Sequence, residues 1–190
     1  MRRVLLLVLL ALAVPLAASA SSIDITNEGG TITANMAGGL QLSGSVIVNF
    51  GGIPGTNLGS VTFSTAGFSS GDLTNGGTLM PGGTITITGN GMSGVPNGVV
   101  FQGTFTSAQW EVVGGNYDLV AAIKSTSGPN GVGAVSELTV QGTLNPNGSI
   151  SLSSGDISLN TTPVPEPGTL GLLGTGLVGM GGLLRRRFLR

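Results

Sequence analysis

Cysteine and histidine are both absent from this chain of 190 residues. Their absence excludes Ser-His-Asp and Cys-His nucleophilic machinery, most zinc sites and every disulfide. Charge is also scarce: 8% of residues are charged, against about 25% in an ordinary globular chain. Aromatic residues amount to 4%, with one Trp and one Tyr. The middle of the chain nearly lacks basic residues. Arg2, Arg3, Arg185, Arg186, Arg187 and Arg190 sit at the two ends, and Lys124 stands alone between them. Eight carboxylates fall between Ser21 and Pro167, giving that stretch a net charge of −7. A body of this charge repels phosphate backbones and has no basic patch, which excludes nucleic acid as a partner.

What is present begins with the first twenty residues. Arg2 and Arg3 precede an apolar run from Val4 to Val14, and Ala18-Ser19-Ala20 follows. A positive start, a short apolar core and small residues two apart predict a secretory signal peptide over residues 1–20. Cleavage by the secretion machinery after Ala20 would leave Ser21 as the new N-terminus. The run is shorter than the about 20 apolar residues that a permanent membrane span needs. With residues 21–162 as one body, the chain is long enough to bury roughly 68–70% of its unfolded surface without disulfides.

Within that body the apolar residues recur at every second position, which is the strand period. In LQLSGSVIVNF, Leu40, Leu42, Val46, Val48 and Phe50 share one face, and Gln41, Ser43, Ser45 and Asn49 the other. Ile85 and Ile87 alternate with Thr84, Thr86 and Thr88, and Phe101 and Phe105 with Gln102, Thr104 and Thr106. Tyr117, Leu119, Ala121 and Ile123 align, as do Leu138, Val140 and Leu144. Turn signals separate these runs. Asn-Gly occurs at Asn75, Asn90, Asn97, Asn130 and Asn147, joined by Pro54-Gly55, Pro81-Gly82-Gly83 and Gly114-Gly115. About ten short strands without a helical period predict an all-β fold: a single antiparallel β-sandwich or barrel-like domain over residues 21–162.

Chemistry in such a chain rests on carboxylates. The richest local set is QWEVVGGNYD, with Glu111 and Asp118 near Trp110 and Tyr117. Alternation places Trp110 inward with Ala108 and Val112, and Glu111 outward with Gln109. No nucleophile–base pair is visible, and the chain is expected to be neither an enzyme nor a carrier of a cofactor or metal. Asp72 with Asn75, and Asp156, read as turn and surface residues rather than calcium ligands. Trp110, Tyr117 and Phe50, Phe63, Phe101 and Phe105 are expected in the core, which leaves Phe68 as the aromatic most exposed to solvent. Lys124 reads as a solvated strand-end lysine. Two alternatives to a structural protein stand beside this reading. One is a non-catalytic polysaccharide-binding module that uses its Thr/Asn/Gln faces. The other is a glycoside hydrolase using Glu111 and Asp118.

The last residues differ from everything before them. TTPVPEP places Pro163, Pro165 and Pro167 at alternate positions, and each lacks an N–H and fixes φ, so the segment is an extended spacer. No charge occurs from Gly168 to Leu184, a length that predicts a minimal transmembrane helix. Arg185, Arg186, Arg187 and Arg190 follow and fix the cytoplasmic side by the positive-inside rule. Val164-Pro165-Glu166-Pro167, the Gly/Leu-rich span and the arginine cluster, in this order over residues 163–190, resemble the PEP-CTERM sorting signal. That resemblance implies a bacterial exported protein, held transiently in the inner membrane and handled by an exosortase, a membrane-embedded cysteine transpeptidase. It implies that Val164, Pro165, Glu166 and Pro167 are what the enzyme recognises. It also implies a final place at the cell surface or outside the cell, in association with exopolysaccharide or biofilm.

Overall fold

The computed structural model describes residues 22–129 and 134–160. The signal-peptide residues Ala18, Ala20 and Ser21, the spacer Val164 to Pro167, the predicted transmembrane helix and Arg185, Arg186, Arg187 and Arg190 lie outside the described residues, as does the Asn130-Gly131 turn signal. The described residues are all-β, with 72% of them in strands, and no helix among them is long and apolar enough to cross a membrane.

Among the described residues twelve strands form: β1 (Ser22–Glu28), β2 (Thr31–Ala34), β3 (Leu40–Phe50), β4 (Ile53–Pro54), β5 (Gly59–Thr65), β6 (Phe68–Asp72), β7 (Gly76–Leu79), β8 (Gly83–Asn90), β9 (Asn97–Val113), β10 (Asn116–Ser127), β11 (Val135–Leu144) and β12 (Ile150–Asn160). Eight of them close a barrel. β1, β3, β5, β8, β9, β10, β11 and β12 pair in chain order, and β12 returns to β1. Every pairing is antiparallel, so the barrel is a simple meander. Of the two architectures that the alternation allows, the closed barrel is the one formed.

The remaining strands extend this wall. β2 continues β1 beyond a break at Gly29-Gly30, pairing with the same two neighbours, β12 and β3. β6 and β7 likewise continue β5 and β8 in the same register, so β5–β6 and β7–β8 form one long, broken hairpin. Its turn is Leu73-Thr74-Asn75. The two-residue hairpins use Gly-Gly, not Asn-Gly. Gly51-Gly52 joins β3 to β4 with φ of 56° and 87°, and Gly114-Gly115 joins β9 to β10 with φ of 61° and 86°. Positive φ at both central residues is what a type I′ turn demands. Asn97-Gly98, predicted as a turn, instead opens β9, where Asn97 pairs with Asn90.

Eight strands leave an interior just wide enough for side chains. Trp110, Phe101, Phe105, Ile25, Leu42, Ile47, Ile87, Leu119 and Ile123 fill it and are all but inaccessible. Phe63 and Phe105 meet edge-to-face at 5.8 Å between ring centres. Space for these groups depends on inward-facing glycine: a Cβ on Gly103 would stand 2.4 Å from Ile123 Cγ2 and 3.1 Å from Phe101 Cζ.

β-Bulges shift the alternation at several places, of which those in β3 and β9 matter most here. In β3, the pairing to β5 shifts between Leu42 and Ser45, so Ser43 and Gly44 both face solvent. Ser45 and Ile47 are therefore buried, and Val46 and Val48 are only half-buried, opposite to the strict period-two expectation. Inside the barrel, Asn27 Nδ2 donates to Ser45 Oγ at 2.7 Å, and Ser45 Oγ donates to the Glu28 carbonyl at 3.2 Å. In β9, the pairing to β10 shifts at Thr106, so Thr106 and Ser107 both point outward while Phe105 and Ala108 both point inward. Leu144, expected in the core, closes β11 at the barrel rim and is exposed, and Val112 is exposed at the end of β9.

Candidate functional site: an outer-wall groove

Two features on the described residues invite a functional reading. One is the carboxylate pair that the sequence singles out, and the other is a groove that the sequence does not announce.

Glu111 and Asp118 are brought together. They stand directly opposite each other in the β9–β10 ladder, both on the outer face. Directly opposed side chains have Cβ atoms about 4.5–5.5 Å apart. The pair sits at the hairpin end, one residue row below Val112 and Tyr117, outside the lining of the groove described below. Trp110 and Tyr117 are buried beneath it, as alternation predicts, with ring centres 5.7 Å apart. Their polar atoms are taken by the β6–β7 turn: Trp110 Nε1 donates to the Leu73 carbonyl at 2.8 Å, and Tyr117 Oη to the Thr74 carbonyl at 3.2 Å. Both rings thus serve to pin that turn to the barrel.

Asp72 has a local structural task too. Its carboxylate accepts the Thr74 and Asn75 backbone N–H groups at 2.8 Å each and the Asn75 side-chain amide at 2.7 Å. These bonds, led by the Asn75 side chain, hold the Asp72 carboxyl below its ordinary pKa. No group of three or more His, Cys, Asp or Glu able to hold a metal occurs among the described residues. No described aromatic ring is among the exposed large side chains; Phe68, the expected exception, is half-buried and packs against the core.

The groove forms where the long hairpin breaks. β7 ends at Leu79 and β8 begins at Gly83, and both run antiparallel along β9. Met80-Pro81 interrupts the ladder because Pro81 has no N–H to give, and Gly82 N resumes it by donating to the Phe105 carbonyl at 2.8 Å. The Thr106 bulge lies beside this break. An open groove of about 670 Å³ results, floored by the outer faces of β7, β9, β10 and β11. Bulges often mark functional sites because they re-aim side chains. Here the bulge turns both Thr106 and Ser107 outward. Sequence reasoning missed the groove because it depends on a proline break meeting a bulge across two strands, and neither shows in alternation alone.

Residues 163–187 match the family model of the PEP-CTERM protein-sorting motif. No curated protein and no solved structure matches this chain. The match covers the Pro-Glu-Pro spacer, the uncharged span and Arg185 to Arg187, which are the residues whose order raised the resemblance. The chain therefore carries a C-terminal PEP-CTERM sorting motif. The motif implies an exported protein that is processed by an exosortase-type system.

Proposed function

From a chain that carries this sorting motif, we propose a non-enzymatic surface or matrix protein whose β-barrel works outside the inner membrane in association with exopolysaccharide. The observation that carries the proposal is the motif at residues 163–187 behind a closed all-β body. In this reading the signal peptide is removed after Ala20, and residues 168–184 hold the chain briefly in the inner membrane. The arginines Arg185, Arg186, Arg187 and Arg190 stay in the cytoplasm. The exosortase grips Val164-Pro165-Glu166-Pro167 and removes the tail, so the barrel reaches the cell surface or the surrounding matrix.

A non-catalytic role is supported by the layout of the acids. Glu111 is exposed and Asp118 half-buried on the outer wall, and neither belongs to the lining of the groove. A glycosidase needs its two carboxylates on either side of one bound sugar.

Glu166 provides the test. It is one charge between two prolines. A pocket built for a carboxylate is left with unpaired donors when that charge is removed, while the rigid prolines limit the entropy lost on docking. Glu166→Gln is therefore expected to leave the barrel folded but to block tail removal. Fractionation and intact-mass measurement in a host with the sorting enzyme would then find the variant in the inner membrane with Arg185 to Arg190 still attached. Equal processing of variant and wild type would reduce the segment to a linker.

A further inference from the structure

The groove beside Met80-Pro81 lies outside the sorting motif, and its chemistry points to one kind of occupant. We propose that it binds an extended, uncharged polysaccharide chain laid across the strands. The proposal deepens the reading above, since it rests on the barrel meeting polysaccharide outside the cell.

The lining offers hydrogen-bonding groups that the protein leaves unused. The hydroxyls of Ser69 and Thr106 are occupied, donating to the carbonyls of Thr78 at 3.0 Å and Ala122 at 3.1 Å. The side chains of Thr78, Ser107, Gln109 and Thr139 are exposed and make no hydrogen bond among the described residues. Hydroxyl and carboxamide groups both donate and accept, as sugar hydroxyls do.

These groups form a ladder. Thr78 stands opposite Gln109, Gln109 opposite Val120, and Val120 opposite Thr139 in successive strands. With strands about 4.8 Å apart, the ladder has the even, extended spacing that a linear polymer can follow. Apolar contact comes from Val120, Met80 and Pro81; Val120 is 52% exposed and Met80 47%. Such a strip suits the C–H faces of sugar rings where no aromatic platform is present.

Charge decides the class of polymer. Glu137 is the single charged residue of the lining, and the surrounding outer wall carries Asp24, Glu111, Asp118 and Asp156 against one cation, Lys124. An acidic polysaccharide would meet like charge with no cation in the groove to offset it. A neutral chain meets no such barrier, and Glu137 can accept from its hydroxyls.

The test uses the purified full chain in affinity electrophoresis. Gels would contain dextran, a soluble β-1,3-glucan or a soluble β-1,4-glucan, with alginate as the acidic comparison. Retardation by at least one neutral glucan and none by alginate is expected. Val120→Lys, and separately Gln109→Ala with Thr139→Ala, should each weaken retardation tenfold or more with an unchanged circular dichroism spectrum. Thr86→Lys, on β8 outside the groove lining, should leave it intact. Absence of retardation by all three neutral glucans overturns the proposal, as does binding that neither groove variant alters. Concentration-dependent self-association abolished by Val120→Lys would assign the groove to a second copy of the chain and overturn it too. Recovery of wild type with the host's extracellular matrix, combined with indifference to neutral glucans, would sink the groove proposal while leaving the matrix role standing. Normal processing of Glu166→Gln would count against the sorting reading alone.

Discussion

The barrel has two outer walls of different character over one common interior. From Gly29 to Trp110, a stretch that builds β2 to β8 and most of β9, the only charged residue is Asp72 at a turn. Its outward positions are filled by Thr31, Gln41, Ser64, Thr84, Thr86 and Gln102, paired strand to strand. The other wall, from the end of β9 through β12 to β1, carries Glu111, Asp118, Lys124, Glu137, Asp156 and Asp24. Inward, the two halves are alike in their aliphatic residues: Ile, Leu and Val are buried in both, while the buried Phe residues all belong to the uncharged half. The fold therefore follows from the inward set alone, and the outward set is free to carry something else. Threonine satisfies the pleat as well as a charged residue does, or better. Repulsion between molecules, and with it solubility, falls mainly to the acidic wall.

The largest expected effect tests whether the interior is really shared. Trp110→Ala should cost about 3–5 kcal/mol, because a buried ring and its bond to Leu73 are both lost. Denaturant unfolding should nevertheless remain one transition by every probe. A residual transition from the uncharged half would show two separately stable walls and break the comparison.

A smaller loss comes from overfilling. Gly103→Ala would press a Cβ into Ile123 and Phe101, at a cost of about 1–3 kcal/mol. The same unfolding measurement checks it, and an unchanged midpoint would mean that the interior gives way at this position.

Next come the walls themselves. Glu111 and Asp118 oppose each other as like charges, so Asp118→Asn should stabilise the protein by roughly 0.2–1 kcal/mol, less at high salt. Thr86→Ala on the uncharged wall should show no salt dependence. Equal salt response in the two would remove the electrostatic distinction between the walls.

The faintest effect concerns Asp72. Its pKa is depressed in the folded state by the Asn75 side chain and the Asn75 and Thr74 N–H groups. Its contribution is therefore present above the unfolded carboxylate value and is lost as pH falls through the lower, folded one. Because the Leu73 carbonyl next to it holds Trp110, the fluorescence of this single Trp should report the loosening in acid. Asp72→Ala should abolish that titration step, and its persistence would assign the step to another group.

Much of this was legible in the residues. Strands such as β8 and β10 keep strict alternation, so Ile85, Ile87, Tyr117, Leu119, Ala121 and Ile123 lie where the period puts them. Alternation failed where the chain inserts one residue. Gly44 can take a φ of 74°, which permits the β3 bulge, but GSV reads the same whether or not the strand bulges there. Closure was equally invisible, since it depends on β12 reaching β1 across more than a hundred residues, as in Ile25 opposite Ile157. The carboxylate pair could be found by eye because its members flank one turn. The groove could not, because its lining comes from β6 to β11.

Closing the barrel also settles how such molecules can crowd together. A sheet polymerises through its unpaired rim of N–H and C=O groups, and a closed wall has none to offer. On the described hairpin the Phe68 N–H reaches the Gly38 carbonyl, so the outer side of β6 stays unpaired only from Ser69 to Asp72, and there the strand is broken by a shift between Phe68 and Ser70 and by Gly71 at a φ of 83°. A dense layer of these proteins would therefore stay a suspension of separate particles and not knit itself into fibrils. Any stiffness of a matrix that contains them would have to come from the polymer between the particles.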